Sequence, residues 1–177
     1  MPEELSLSLT LFPEPVLRKP AEPVPACDDE LRDLVRAMFD LMYESQGVGL
    51  AAPQVGLKKR ILVVNEDGKP ENEFALINPT IVERSGAPTT FEEGCLSFPG
   101  IYAEIERPER CKVEALDPNG EPIVREFEGF VSRIVQHEYD HLEGVLLVDR
   151  MSPAEKQRNK AALTDLVDRY KRRAHAG

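Results

Sequence analysis

The sequence predicts an α+β fold: antiparallel or mixed β-sheets around a central helix that carries His137-Glu138-Tyr139-Asp140-His141, with an N-terminal helix and a C-terminal helix. Three observations predict it. Apolar residues recur at helical spacing in two long segments, several short β-prone runs are separated by Gly, Pro and Asn turns, and the helices and strands do not alternate as βαβ units would. A length of 177 residues fits one catalytic domain spanning 1–177, and 41% hydrophobic content can build a core without disulfide staples.

The elements follow in order. Leu11 to Pro25 carries five prolines and should run extended over the surface. Asp28 and Asp29 are candidate N-caps for a helix to about Glu44, with Leu31, Leu34, Met38, Leu41 and Met42 on one face. A Gly-rich turn from Gly47 to Gly56 comes next. Strands are expected at Arg60–Val64, Phe74–Asn78, Ile81–Arg84, Lys112–Leu116 and Ile123–Phe127, the last two joined by the turn Asp117-Pro118-Asn119-Gly120. A helix is expected from Phe130 to Leu142, stopped by Gly144. Another, about 152–172, opens with Ser152-Pro153 and Glu155.

Bulk properties narrow the function. No apolar run approaches the length of a membrane span, and Met1-Pro2-Glu3-Glu4 lacks the basic and apolar regions of a secretory leader, so the cytoplasm is the expected compartment and no membrane partner is expected. Three cysteines, an odd number, argue against a disulfide framework. A net charge of −10 argues against general DNA binding. The charge is uneven: residues 151–177 hold seven Lys/Arg against three Asp/Glu. That segment reads either as a solvated helix face or as a contact for a polyanionic partner. Nothing in the sequence points beyond a monomer.

The sharpest chemical signal is H-E-x-x-H at His137–His141. Residues four apart stack on one helix face, so two imidazoles can reach one cation, and the carboxylate of Glu138 can serve as general base toward a water at that cation. Chance can produce such a pattern. Here it sits within a helix whose Phe130 and Ile134 extend the same stripe with apolar side chains, as where a metal adjoins a hydrophobic pocket.

Catalytic sites of this kind usually take three protein ligands and leave one position for water. The remaining histidine, His175, lies near the C-terminus, so the third ligand is Cys, Asp or Glu. Cys95, in Glu93-Gly94-Cys95-Leu96-Ser97, is the best candidate because glycine lets the chain bend to present the thiol. On local sequence alone, burial as a small hydrophobe is an equal alternative. Gly47-Val48-Gly49-Leu50-Ala51-Ala52 matches a dinucleotide fingerprint in letters. A helix precedes it and a strand follows, the reverse of what that fingerprint needs. It reads instead as a plain loop or as a place where another backbone approaches closely, with the Gln54 amide beside it.

Taken together, Gly47–Gln54, Glu93–Ser97 and Gln136–His141 resemble the peptide deformylase family, whose pattern is G-x-G-x-A-A-x-Q, E-G-C-x-S and Q-H-E-x-D-H in that order. Phe12–Arg18 and Leu142–Leu146 resemble it too, and the likeness spans about residues 8–150. The resemblance implies Cys95, His137 and His141 as metal ligands and Glu138 as general base and acid. It implies Gln54 and the Leu96 N–H as donors to the oxyanion, and Gly49 along the substrate backbone. The implied cofactor is Fe2+, with Zn2+, Ni2+ or Co2+ able to take its place, and the implied substrate is the formyl-methionyl end of nascent peptides. Val48, Phe130 and Ile134 are expected to line the methionine slot, and the peptide to add as a strand beside residues 47–49 and 91–93, which include Glu93 and adjoin Gly94. The family is associated with ribosomes, so the basic C-terminal helix is a candidate contact. Where some members carry an Arg after the cysteine motif, this chain reads Ile101-Tyr102-Ala103. An ordinary metallopeptidase and a non-enzymatic metal module docking on a polyanion are the rival readings.

Overall fold

A computed structural model describes residues 5–176; Met1–Glu4, read above for a leader, and Gly177 lie outside the described residues. Five strands form one antiparallel sheet in the order of the chain: β1 (Gly49–Ala51), β2 (Ile61–Val64), β3 (Phe74–Gly94), β4 (Tyr102–Leu116) and β5 (Pro122–Glu128). Helix α1 (Asp29–Glu44) precedes the sheet and α2 (Gly129–Leu142) follows it; α3 (Leu147–Arg150), α4 (Pro153–Arg158) and α5 (Lys160–Ala176) close the chain. No helix among the described residues is long and apolar enough to cross a membrane.

Helix α1 starts where its polar residues allow. The Asp28 carboxylate accepts from Leu31 N at 2.9 Å and occupies an otherwise unpaired donor of the first turn. Leu31, Leu34, Met38 and Met42 are buried, as their spacing predicts. All four residues of β2 are buried because both faces of this strand are covered. Ile61 and Val63 pack in the cluster formed with α1, and Leu62 and Val64 pack in the cluster containing Ile134, Val135 and Leu142 of α2. The sheet thus lies between the two helices, and α2 has ten of its fourteen residues buried. Gly144 ends this region at φ +76°, where a Cβ would meet Arg18 O at 2.6 Å, so neither the backbone angle nor the space admits a side chain.

Four expectations need correction. The strands expected at Phe74–Asn78 and Ile81–Arg84 are parts of one 21-residue strand that runs on to Gly94. Pro79, Gly86 and Pro88 read as breaks, yet the ladder with β4 survives them through register shifts at Ile77/Thr80, Ile81/Glu83 and Ser85/Pro88. Strand β4 begins at Tyr102, ten residues before the expected Lys112. The C-terminal helix is interrupted at Asn159, whose side-chain amide donates to Tyr102 O at 3.2 Å and to Glu155 O at 3.0 Å. The proline-rich segment is not wholly extended: it makes a 3-10 turn at Pro15–Arg18 and sinks Leu17 into a cluster with Phe98, Ile101 and Leu166.

Candidate metal centre and pocket

Strand β3 ends at Gly94 and delivers Cys95 beside the buried face of α2. The turn that follows is closed by Phe98 N donating to Cys95 O at 2.9 Å, and Phe98 is fully buried. One ligand-capable atom each from Cys95, His137 and His141 lies within 4.8 Å of the others. Cys95 Sγ is 3.3 Å from His141 Nε2. A tetrahedral metal with bonds of about 2.3 Å to sulfur and about 2.0 Å to nitrogen spaces those donors about 3.5 Å apart. The three side chains therefore fit a first-row cation with an S/N/N donor set.

The surroundings orient these donors. Glu93 Oε1 accepts from His137 Nδ1 at 2.9 Å, which fixes the ring with Nε2 toward the site. Glu93 is itself saturated, with Arg107 Nη2 on Oε1 at 2.9 Å and Arg107 Nε and Arg133 Nη1 on Oε2 at 2.7 and 2.6 Å. Arg107 also donates to Asp140 at 3.0 Å, and Arg150 donates to the same carboxylate at 2.9 and 3.0 Å. Buried charges persist when each is paired and hydrogen-bonded, and these are.

Glu138 is different. Its Oε1 lies 3.9 Å from His137 Nε2, and its Oε2 is buried with no hydrogen-bond partner among the described residues. An unpaired buried carboxylate oxygen is costly and marks a place meant for a ligand or water. Burial pushes this carboxyl up to about 7, against the opposing pull of His137 and Arg107. That is where a group exchanging protons near neutrality works best. His141 Nδ1 is likewise buried without a partner.

Gln54 sits in a 3-10 turn, Ala52–Val55, directly after β1. Its Oε1 accepts from Ala51 N at 2.9 Å, which turns the amide nitrogen toward Ser97 Oγ at 3.2 Å and Cys95 Sγ at 3.5 Å. A donor is thus held at the sulfur, beside the metal position.

A cavity of about 590 Å³ opens onto Cys95, His137 and Glu138, and Val48, Gly49, Glu93, Gly94, Phe130 and Ile134 all line it, whereas Gln54 and His141 are not among its lining residues. Glu93, expected beside the substrate, has its carboxylate consumed by His137 and two arginines, so only its backbone is free to face a ligand. Leu96 also lines the cavity. Around the mouth, Val48, Phe91, Tyr102 and Phe130 leave 37–57% of their surfaces exposed, more apolar area than a merely solvated rim needs.

Sequence reasoning missed Arg107, and Arg133, within the ligand-bearing helix, reads from sequence either as lining the pocket mouth or as facing solvent. A signal for the first existed: Ala103, Ile105 and Arg107 occupy the buried positions of an alternating strand, and an inward arginine requires an anion. The second needed the partner to be known.

Comparison with known proteins identifies the family. The family described as Polypeptide deformylase matches residues 6–157. A peptide deformylase from Thermotoga sp. (strain RQ2) is 45% identical over 164 residues, covering 93% of this chain and 98% of its own. One from Brucella suis biovar 1 is 47% identical over 146 residues, covering 81% and 83%. Among solved structures, a peptide deformylase from Plasmodium falciparum superposes with a TM-score of 0.90 at 46% identity over 93% of this chain and 97% of that one. A plant peptide deformylase gives 0.93 at 42% identity over 98% and 95%. The chain belongs to the polypeptide deformylase family.

Proposed function

We propose that this hydrolase removes the formyl group from the N-terminal formyl-methionine of nascent polypeptides, with Cys95, His137 and His141 as metal ligands and Glu138 as general base and acid. The observation that carries the mechanism is the convergence of three ligand-capable atoms within 4.8 Å beside a buried carboxylate oxygen that has no hydrogen-bond partner among the described residues. When bound there, a first-row metal, Fe2+ in our reading with Zn2+, Ni2+ or Co2+ as substitutes, would supply Lewis acidity to water and to the formyl carbonyl.

The residues of this chain do the rest. Glu138 takes the proton of the attacking water, and the oxygen adds to the formyl carbon. Gln54 Nε2 and the Leu96 N–H donate to the oxygen on which charge develops. Glu138 then passes its proton to the leaving amine, and formate and a free N-terminal methionine result. Val48, Phe130 and Ile134 receive the methionine side chain, and the peptide lies against Gly49 on one side and Glu93 and Gly94 on the other as an added strand. A tight site around the three ligands and Glu138 would admit formyl and exclude bulkier acyl groups by size.

The test is formate release from formyl-Met-Ala, with metal content measured on the same sample. A metal-loaded protein that leaves formyl-Met-Ala intact sinks the reading. A contact with the ribosome through the basic C-terminal segment is part of the proposal, supported by the exposed Lys171, Arg172 and Arg173 at the end of α5. Salt-sensitive co-sedimentation with ribosomes, lost on replacing the exposed Lys171, Arg172 and Arg173 by Ala, tests it separately from chemistry.

A further inference from the structure

Arg133 is buried to 7% exposure in the middle of α2, four residues before His137. It makes four hydrogen bonds with two nitrogens. Nη1 donates to Glu93 Oε2 at 2.6 Å and to Ile105 O at 2.9 Å. Nη2 donates to Thr89 O at 2.7 Å and Thr89 Oγ1 at 3.0 Å. Its guanidinium carbon lies 5.8 Å from the centre of the Phe91 ring, which in turn is 6.3 Å from the Phe130 ring across the pocket wall.

Arg107 already pairs with both Glu93 and Asp140, and Arg150 meets Asp140 from a half-exposed position. Arg133 brings a second, equally buried guanidinium to Glu93. A buried ion is retained only where its geometry is excellent and its remaining hydrogen bonds are made, and Arg133 meets both conditions. A planar fork suits this geometry, because it fixes the direction of every acceptor at once. Here the acceptors belong to three places that must agree: the carboxylate behind His137, the strand β3 at Thr89, and the facing strand β4 at Ile105.

We propose that Arg133 is a positioning residue for the reaction: it locks Glu93 against His137 and clamps the β3 segment that flanks the substrate, so metal retention and peptide binding depend on one side chain. The inference rests on the proposed function only for the identity of the peptide. Its action runs through two routes, Glu93 to the His137 ring, and Thr89 and Phe91 to the pocket wall.

Two variants test it. Arg133→Met removes the fork and its charge; Arg133→Lys keeps a cation that can reach one acceptor group but not all. Metal retention is measured by chelator competition, and KM and kcat on formyl-Met-Ala with metal in excess, after circular dichroism confirms the fold. For Arg133→Met we expect metal binding weaker by about tenfold and KM higher by about tenfold, with a smaller loss in kcat. Arg133→Lys should recover metal retention more than KM, since a point charge beside Glu93 replaces one route and not the other. Wild-type metal retention and KM in the Met variant, or a loss of thermal stability alone, overturns the proposal. If the Met variant does not fold, the Lys variant decides: wild-type KM there overturns it. Chelator competition does not depend on which acyl group is hydrolysed, so a protein inert toward formyl peptides would sink the reaction while leaving the Arg133 result readable.

Discussion

Glu93 and His137, 44 positions apart in the chain, meet at 2.9 Å between Oε1 and Nδ1, and through this contact the end of a strand sets the ring of a metal-ligand candidate on a helix. The same carboxylate is ion-paired with buried Arg107 and Arg133. Glu93→Gln should therefore act twice. Removing one partner of a buried pair leaves uncompensated charge and destabilises by about 3–5 kcal/mol. Loosening the His137 ring should weaken metal binding by about 10–100-fold. Urea denaturation and chelator competition measure the two effects. A variant as stable as the parent would mean that water, not Glu93, compensates the arginines.

Acid should reveal the same carboxylate in the metal-free protein. Burial pushes the Glu93 carboxyl up, but hydrogen bonds from His137 and Arg107, with their charges, more than reverse this and hold it well below the usual range. A depressed carboxyl stabilises the fold above its unfolded value, about 4.3 for Glu, and that stabilisation is lost as pH falls toward the folded value. Stability should thus drop steeply below about pH 4.5, and Glu93→Gln should flatten the slope by up to about one proton. Equal slopes in parent and variant would place the acid sensitivity elsewhere.

The base role is separable from metal binding. Glu138 is not among the three grouped ligand residues, and its Oε2 has no hydrogen-bond partner among the described residues. Glu138→Ala should keep the metal and lower kcat by about 10²–10⁴-fold on formyl-Met-Ala. Metal content by elemental analysis accompanies the kinetics. Near-normal turnover would remove Glu138 from proton transfer.

How much of this was legible in the sequence depends on the range of each interaction. Helix α2 and its paired histidines could be read because a 3.6-residue period and a spacing of four are local facts, and the turn Asp117–Gly120 because Asp117 Oδ1 accepts from Asn119 N at 2.8 Å, a contact made within the turn itself. The length of β3 could not be read. Its bulges are sustained by pairing with β4, so local breakers at Gly86 and Pro88 were overruled by a partner far along the chain. Glu93 illustrates the same limit at the site. Its adjacency to Cys95 placed it near the substrate, while its partners lie on β4 and α2 and turned its side chain another way. Arg133 was visible on the helix but its direction depended on Thr89 and Ile105, which no local pattern names.

Gly49 provides the sharpest steric test of the site. A Cβ built there would stand 2.7 Å from Ile134 Cγ2, 2.9 Å from Glu138 Cγ and 3.1 Å from Glu138 Oε1. Neither backbone can yield easily: Gly49 is paired with Val64 in the sheet, and Ile134 and Glu138 belong to a helix buried against it. The side chains must give, and the one with an unpaired oxygen is Glu138. Gly49→Ala should then misplace the carboxylate by roughly an ångström, which costs about 10²-fold in kcat. Metal content should be unchanged, because the three atoms nearest that Cβ belong to Ile134 and Glu138 and not to Cys95, His137 or His141. Overpacking should lower stability by about 1–3 kcal/mol, measurable as a shift in Tm. A variant that loses stability and keeps its kcat would show that Glu138 finds its working position without help from the space above Gly49.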